Sequence, residues 1–137
     1  MTSSPTRGRM RPAMTADTTF FWDGARDRKL LAQRCADCHR LRHPPAPACA
    51  ACHSLDHEVV ELSGRGTVYS YTVQYHPRAP GFDGPAVVIM VELAEGIRMI
   101  SNLIGVEPED VKIGLPVEVF FVDQEEGWTA PQFRLVG

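Results

Sequence analysis

From Glu58 onward, apolar and polar positions alternate with a period of two, the signature of half-buried strands. Gly64-Arg65-Gly66 opens a strand that runs from Thr67 to about Tyr75. On it Tyr69, Tyr71, Val73 and Tyr75 fall on one face, and Val68, Ser70, Thr72 and Gln74 on the other. His76 to Pro85 holds three prolines and two glycines and reads as a loop. Ala86 to Leu93 is apolar except at Glu92, as in a buried strand; Ala94-Glu95-Gly96 turns it, and Ile97 to Ile104 returns. Glu107 to Val111 reads as one helical turn, with Pro108 and the acids suited to a helix start. Val117–Asp123 and Ala130–Val136 complete a set of five strands. Upstream, Asp17 or Thr18 caps a short helix over Thr19–Arg26 that carries Phe20, Phe21 and Trp22. Lys29 to Arg34 reads as a strand beyond it. Five short strands with a helical turn between the third and fourth follow the order of an OB-fold barrel.

Length and charge refine that picture. The chain has 137 residues, room for one domain or two very small modules. No apolar run approaches the roughly 18 residues of a membrane span. Met1 to Ala16 is polar and aperiodic, without the apolar centre of a secretory signal, so a cytoplasmic protein is expected. The net charge of −3 hides an asymmetry. Residues 1–43 carry nine Lys/Arg against four Asp/Glu, whereas residues 44–137 carry five against thirteen. A basic head and an acidic body suggest modules with different partners. The expected division is a flexible leader at 1–16, a helix with a metal-binding segment at 17–57, and an OB-fold at 58–137.

The four cysteines supply a metal site. Cys35-x2-Cys38 and Cys49-x2-Cys52 are separated by ten residues, and no cysteine lies elsewhere. Without an export signal, paired CxxC units point to metal rather than disulfides. Two such turns offer the tetrahedral four-sulfur shell that Zn²⁺ accepts, and a closed shell with no open position is structural, not catalytic. His43-Pro44-Pro45-Ala46-Pro47 is a stiff stretch that should hold the two turns apart. Arg34, Arg40 and Arg42 flank the site and could offset the thiolate charge. Each unit is followed by a histidine, His39 and His53, and CxxCH is also the attachment motif of c-type haem. Against haem stand the missing export signal and a β-rich second half. At a turn after each CxxC, histidine is among the non-glycine residues that visit positive φ.

Three function classes follow from these residues. A non-catalytic partner subunit fits a chain whose one chemistry-grade cluster is a closed metal site. A single-stranded nucleic-acid module would use Tyr69, Tyr71 and Tyr75 for base stacking, but its backbone contacts need a positive groove and the barrel segment is acidic. An independent enzyme would need a constellation that scattered acids such as Asp83, Glu92, Glu95 and Glu118 do not form.

Several segments, in order, resemble the zinc-ribbon plus OB-fold family of acyl-CoA-associated proteins, long catalogued as a domain of unknown function. They are Phe20-Phe21-Trp22-Asp23-Gly24, Gln33 to Cys38, Ser63 to Tyr71, Val91-Glu92-Leu93 with Glu95-Gly96, Ser101-Asn102-Leu103, and Lys112 to Val119. The likeness runs from Asp17 to the C-terminus, with its strongest echo in the accessory module of steroid side-chain aldolase complexes. The family commonly has glycine where this chain has His39 and His53. The resemblance implies a mainly β chain: an N-terminal helix, a rubredoxin-like zinc ribbon with structural Zn²⁺ on Cys35, Cys38, Cys49 and Cys52, then a five-stranded OB-fold barrel. It further implies a hetero-oligomer. In it a non-catalytic subunit binds and activates a thiolase-superfamily enzyme acting on acyl-CoA, a retro-aldolase of steroid side-chain degradation, with a MaoC-like hydratase as a second partner. For that role two contact regions are expected: the helix with Phe20, Phe21 and Trp22, and the loop with Tyr75, His76, Arg78 and Phe82. Aromatic residues and arginine are favoured interface types.

Overall fold

A computed structural model gives the conformation of residues 8–137; residues 1–7, the first part of the expected leader, lie outside the described residues. The helix α1 spans Thr19–Arg26. Three strands form the first sheet: β1 (Leu31–Cys35), β2 (Leu41–Arg42) and β3 (His57–Glu61), antiparallel in the order β2-β1-β3. Five form the second: β4 (Arg65–Gln74), β5 (Ala86–Leu93), β6 (Arg98–Asn102), β7 (Pro116–Asp123) and β8 (Thr129–Leu135), in the order β6-β5-β4-β7-β8. A 3₁₀ turn at Pro108–Asp110 sits between β6 and β7. This is the expected mainly β chain with one N-terminal helix, a ribbon and a nearly closed five-stranded barrel.

The Gly64-Arg65-Gly66 start of β4 has a steric cause. Gly64 has φ +78°, and a Cβ there would strike the Val119 side chain; a Cβ on Gly66 would strike the Glu92 carbonyl. Only glycine lets β4 lie this close to both β5 and β7.

Residues on alternate positions of β5 fill the barrel: Val87, Ile89, Val91 and Leu93 are buried beside Val68, Met99, Leu103, Val117 and Phe133. The same core continues into the ribbon through Leu30, Ala32 and Leu62 and under the helix through Phe21. The Leu62 N–H donates to the Leu30 carbonyl at 2.8 Å, stitching the entry of β1 to the exit of β3. At the end of α1, Arg28 takes a left-handed φ of 64°, closing the helix, and its guanidinium makes two 2.9 Å bonds to the Asp123 carboxylate on β7.

One strand departs from the period-two expectation. Between Val68 and Ser70 the β4–β5 register shifts, so Tyr69 is an extra residue. Such a bulge turns the side chains that follow relative to those before. Tyr69 therefore leaves the face of Tyr71 and Val73, which stand opposite Ile89 and Val87. It lies on the surface, 44% exposed, with the Arg98 guanidinium 3.7 Å from its ring centroid.

Candidate metal centre and contact surface

The two CxxC units fold into matching knuckles. In the first, Cys35 N–H donates to the Arg40 carbonyl at 2.9 Å and His39 N–H to the Cys35 carbonyl at 3.0 Å. In the second, Cys49 N–H donates to the Ser54 carbonyl at 2.9 Å and His53 N–H to the Cys49 carbonyl at 2.8 Å. Both turns close through a left-handed residue, His39 at φ 63° and His53 at φ 65°, as expected of these histidines.

The knuckles bring four sulfurs to one point, all within 4.8 Å of one another. Cys35 and Cys52 sulfurs are 3.5 Å apart, those of Cys38 and Cys49 3.6 Å. A disulfide would need about 2.05 Å. A zinc–sulfur bond of about 2.3 Å in a tetrahedron sets sulfurs about 3.8 Å apart, so the cluster fits the ion. Convergence on one point does not suit two separately anchored haems.

Local dipoles ready the thiols. Amide N–H groups of Cys52 and Ala51 aimed at the Cys49 sulfur lower its pKa to about 6, and the Cys38 amide lowers that of Cys35. Cys52 goes the other way: the Ser54 amide pulls it down, but the neighbouring sulfurs, Cys35 first, and local desolvation outweigh this and push it up to about 12. Thiolates this close repel one another, and a bound dication removes the conflict. Two of the flanking arginines have other partners. Arg34 pairs with Glu58 across β1 and β3, and Arg42 donates to Gln33 Oε1 at 2.6 Å and to the Ala46 carbonyl at 3.1 Å.

Gln33 is the functional residue that sequence reasoning missed. It is 1% exposed, and its Oε1 accepts from both Arg42 Nε and the Ala46 N–H, the latter at 2.9 Å. It thereby ties the proline loop between the knuckles to β1. Gln33→Leu keeps the bulk and strands both donors. It is expected to cost about 1–3 kcal/mol, read as a lower urea midpoint with unchanged m at saturating zinc.

The residues expected to meet a partner separate into two groups. Phe21 (6% exposed) and Phe82 (7%) are core residues, the first under α1 and the second against Ala86 and Ile104. Both face inward in the chain on its own and hold the expected contact segments from beneath. Phe20 and Trp22 are partly buried, and Tyr75, His76 and Arg78 are exposed. Trp22 packs edge-on against Trp128 at 5.6 Å, and Phe21 meets His43 at 5.4 Å, so α1 bridges the ribbon loop and the β7–β8 turn. Burial holds the His43 pKa below its ordinary value.

Between these elements lies a furrow along β6. A cavity of about 350 Å³ has Trp22, His43 and Trp128 in its walls. A second of about 480 Å³ adjoins it at His43 and Met99, and a third of about 250 Å³ at Arg9 and Ser101, reaching Phe82. Ile100, 65% exposed, borders all of them. The helix region opens onto this furrow through Phe21 and Trp22, whereas of the loop region only the buried Phe82 borders it. No helix of the described residues is long and apolar enough to cross a membrane.

Comparison with known proteins identifies relatives of both halves. Residues 22–58 match the ChsH2 rubredoxin-like zinc ribbon domain, and residues 59–122 the ChsH2 C-terminal OB-fold domain. The chain is 45% identical over 126 residues to a probable enoyl-CoA hydratase alpha subunit of Thermomonospora curvata. It is 46% identical over 114 residues to the 3-oxo-4,17-pregnadiene-20-carboxyl-CoA hydratase alpha subunit of Mycobacterium tuberculosis. It spans 40% and 36% of the length of these two relatives, and they match 92% and 83% of this chain. A DUF35 domain-containing scaffold protein of Methanocaldococcus jannaschii is 35% identical, over 67% of each chain. Among solved structures, the Ltp2-ChsH2(DUF35) aldolase superposes with a TM-score of 0.86 at 46% identity, covering 91% of this chain and 98% of that one.

Proposed function

The chain belongs to the ChsH2 family of rubredoxin-like zinc ribbons joined to OB-folds, and from that premise we propose that it is a non-catalytic accessory subunit of an acyl-CoA enzyme complex. In this reading it binds and activates a thiolase-superfamily subunit. That partner performs a retro-aldol cleavage on the acyl-CoA of a degraded steroid side chain, and a MaoC-like hydratase acts in the same assembly. The observation that carries the proposal is the pairing of a closed four-cysteine group with a furrowed apolar surface. The metal site holds structure and leaves no position for substrate, while the furrow offers area for a partner. A solved relative of almost the same extent is named as an Ltp2-ChsH2 aldolase, which supports the aldolase assignment. Nucleic-acid binding finds less support: the bulge takes Tyr69 off the face of Tyr71, Arg98 covers one side of its ring, and the barrel segment is rich in acids.

In this reading the chain's residues order and cover their partner. The zinc knuckles fix the proline loop, Gln33 fixes its register against β1, and α1 carries Trp22 to the furrow. Tyr75, His76 and Arg78 stand on an exposed loop held down by Phe82. The test is reconstitution with a purified Ltp2-type aldolase subunit. A stable complex on size exclusion is expected, with cleavage of a β-hydroxyacyl-CoA only when both chains are present. Tyr75→Ala with Arg78→Ala should weaken the complex without shifting the melting temperature. Separate elution of the two chains, or turnover by this chain alone, would refute the proposal.

A further inference from the structure

The furrow exists because the barrel does not close. In the β5–β6 ladder, Leu93 N–H donates to the Ile97 carbonyl and Leu103 N–H to the Val87 carbonyl. With Met90 opposite Ile100, antiparallel alternation places the ladder bonds of β6 on Ile97, Met99, Ser101 and Leu103. The backbone N–H and C=O groups of Arg98 and Ile100 and the N–H of Asn102 therefore point away from β5, into the furrow, while the Asn102 carbonyl turns toward β8 at the Leu103–Phe133 bridge. Among the described residues no strand pairs with β6 on that side. Next in this outward row is Ile104, whose N–H does reach the Phe133 carbonyl of β8 at 2.9 Å.

Closure stops there for a chemical reason. Gln124 N–H donates to the Trp128 carbonyl, so the same alternation turns Thr129, Pro131 and Phe133 of β8 toward β6. Pro131 has no N–H to give. Its carbonyl is already taken by the Ser101 hydroxyl at 2.9 Å. β6 and β8 thus share a single bridge, Leu103 with Phe133, and separate beyond it.

The open edge has a definite chemistry. No described aspartate or glutamate lines the three cavities, although the chain holds 17. Arg9 and Arg98 line them instead. The Arg9 guanidinium sits 5.5 Å from the Phe82 ring centroid, part-buried, with no carboxylate partner among the described residues. Trp128, in the wall of the gap between β6 and β8, has a buried Nε1–H without an acceptor among the described residues. An unpaired cation and an unpaired donor are costly when desolvated.

We infer that β6 is a docking edge for an extended apolar segment of the partner enzyme that carries a carboxylate, which adds to the barrel as a strand beside Arg98, Ile100 and Asn102. This rests on the accessory-subunit reading and names the surface that performs it. Main-chain bonds to Arg98, to Ile100 and to the Asn102 N–H supply affinity, the Asn102 carbonyl being turned to the Phe133 N–H by the parallel bridge, and the cavities on either side of Ile100 take alternate side chains. The carboxylate meets Arg9.

Hydrogen exchange of the full chain, free and in complex with the Ltp2-type aldolase subunit, tests the inference. The Ile100 and Asn102 amides should exchange quickly in the free chain and slow by at least about tenfold in the complex. Ile100→Pro deletes an outward N–H and leaves the β5 ladder whole, a place where proline is tolerated. It should raise the dissociation constant by about tenfold or more with little change in melting temperature, and Arg9→Gln should weaken binding and its salt dependence together. A complex that forms with residues 98–102 unprotected overturns this inference and leaves the accessory role standing. Amides already protected in the free chain also overturn it, since the chain would then fill its own edge. Absence of any complex overturns both readings.

Discussion

Stripping zinc with a strong chelator is expected to unfold the segment between Leu31 and Glu61 and to lower the melting temperature of the whole chain. The ribbon sheet has strands of five, two and five residues, too little to bury a core of its own. Its buried residues are few: Ala32, Gln33, Cys35 and Cys49. What remains is the metal, and structural zinc supplies about 10–16 kcal/mol of apparent binding energy in comparable small modules. Without the ion, Cys35, Cys38, Cys49 and Cys52 become four close thiols whose ionised forms repel. The effect should not stop at the ribbon. Leu30, Ala32, Leu62 and Phe21 belong to the same continuous core as Ile89 and Phe133, and losing the ribbon uncovers one side of it. A loss of only about 3 kcal/mol would lower the melting temperature by about 10 °C in a chain of this length. Calorimetry with and without chelator, followed by zinc re-addition, measures this, and Cys49→Ser should reproduce the chelated state. Equal melting temperatures for the metal-loaded and stripped chains would count against a structural site.

Much of this was legible in the sequence, because the strongest signals were local. Cysteine spacing encodes the knuckles, and the histidine after each pair occupies the left-handed position that a tight turn demands. Strand positions followed from period-two alternation, and Ala86–Leu93 matches its expected bounds. The rest depended on neighbours distant in sequence. The bulge at Tyr69 arises from pairing with β5, and nothing in Val68-Tyr69-Ser70 alone announces it. β2 has two residues, too few for any period. Buried Gln33 is held by a loop nine and thirteen residues away, and a glutamine in an alternating strand reads as solvent-facing until that loop is seen. Phe21 and Phe82 show the limit of residue type: a large aromatic ring serves a core and an interface equally well. The open edge of β6 was the least legible feature, since Pro131 blocks closure only once the parity of β8 is known.

The largest effect from a single side chain is expected at Phe133. It is fully buried at the centre of β8, pairs with Val119 across β7, and makes the one bridge to Leu103. Phe133→Ala removes the ring that several layers of the barrel share and should cost about 3–5 kcal/mol. Leu135→Ala, two residues along the same strand and 40% exposed, should cost no more than about 1 kcal/mol and serves as the control. Urea unfolding at saturating zinc gives both values, with tryptophan fluorescence reporting Trp22 and Trp128 where α1 meets the barrel. Because the core runs unbroken from Phe133 to Leu30, the variant should lose its zinc in the same transition that unfolds its barrel. Two separated transitions would mean instead that ribbon and barrel are independent cooperative units. The Phe133 carbonyl also anchors Ile104 at the point where β6 and β8 part, so a loosened β8 should widen the furrow. Faster exchange at Leu103 and Ile104 in Phe133→Ala, with β4 unchanged, would place the hinge of the open edge at this residue.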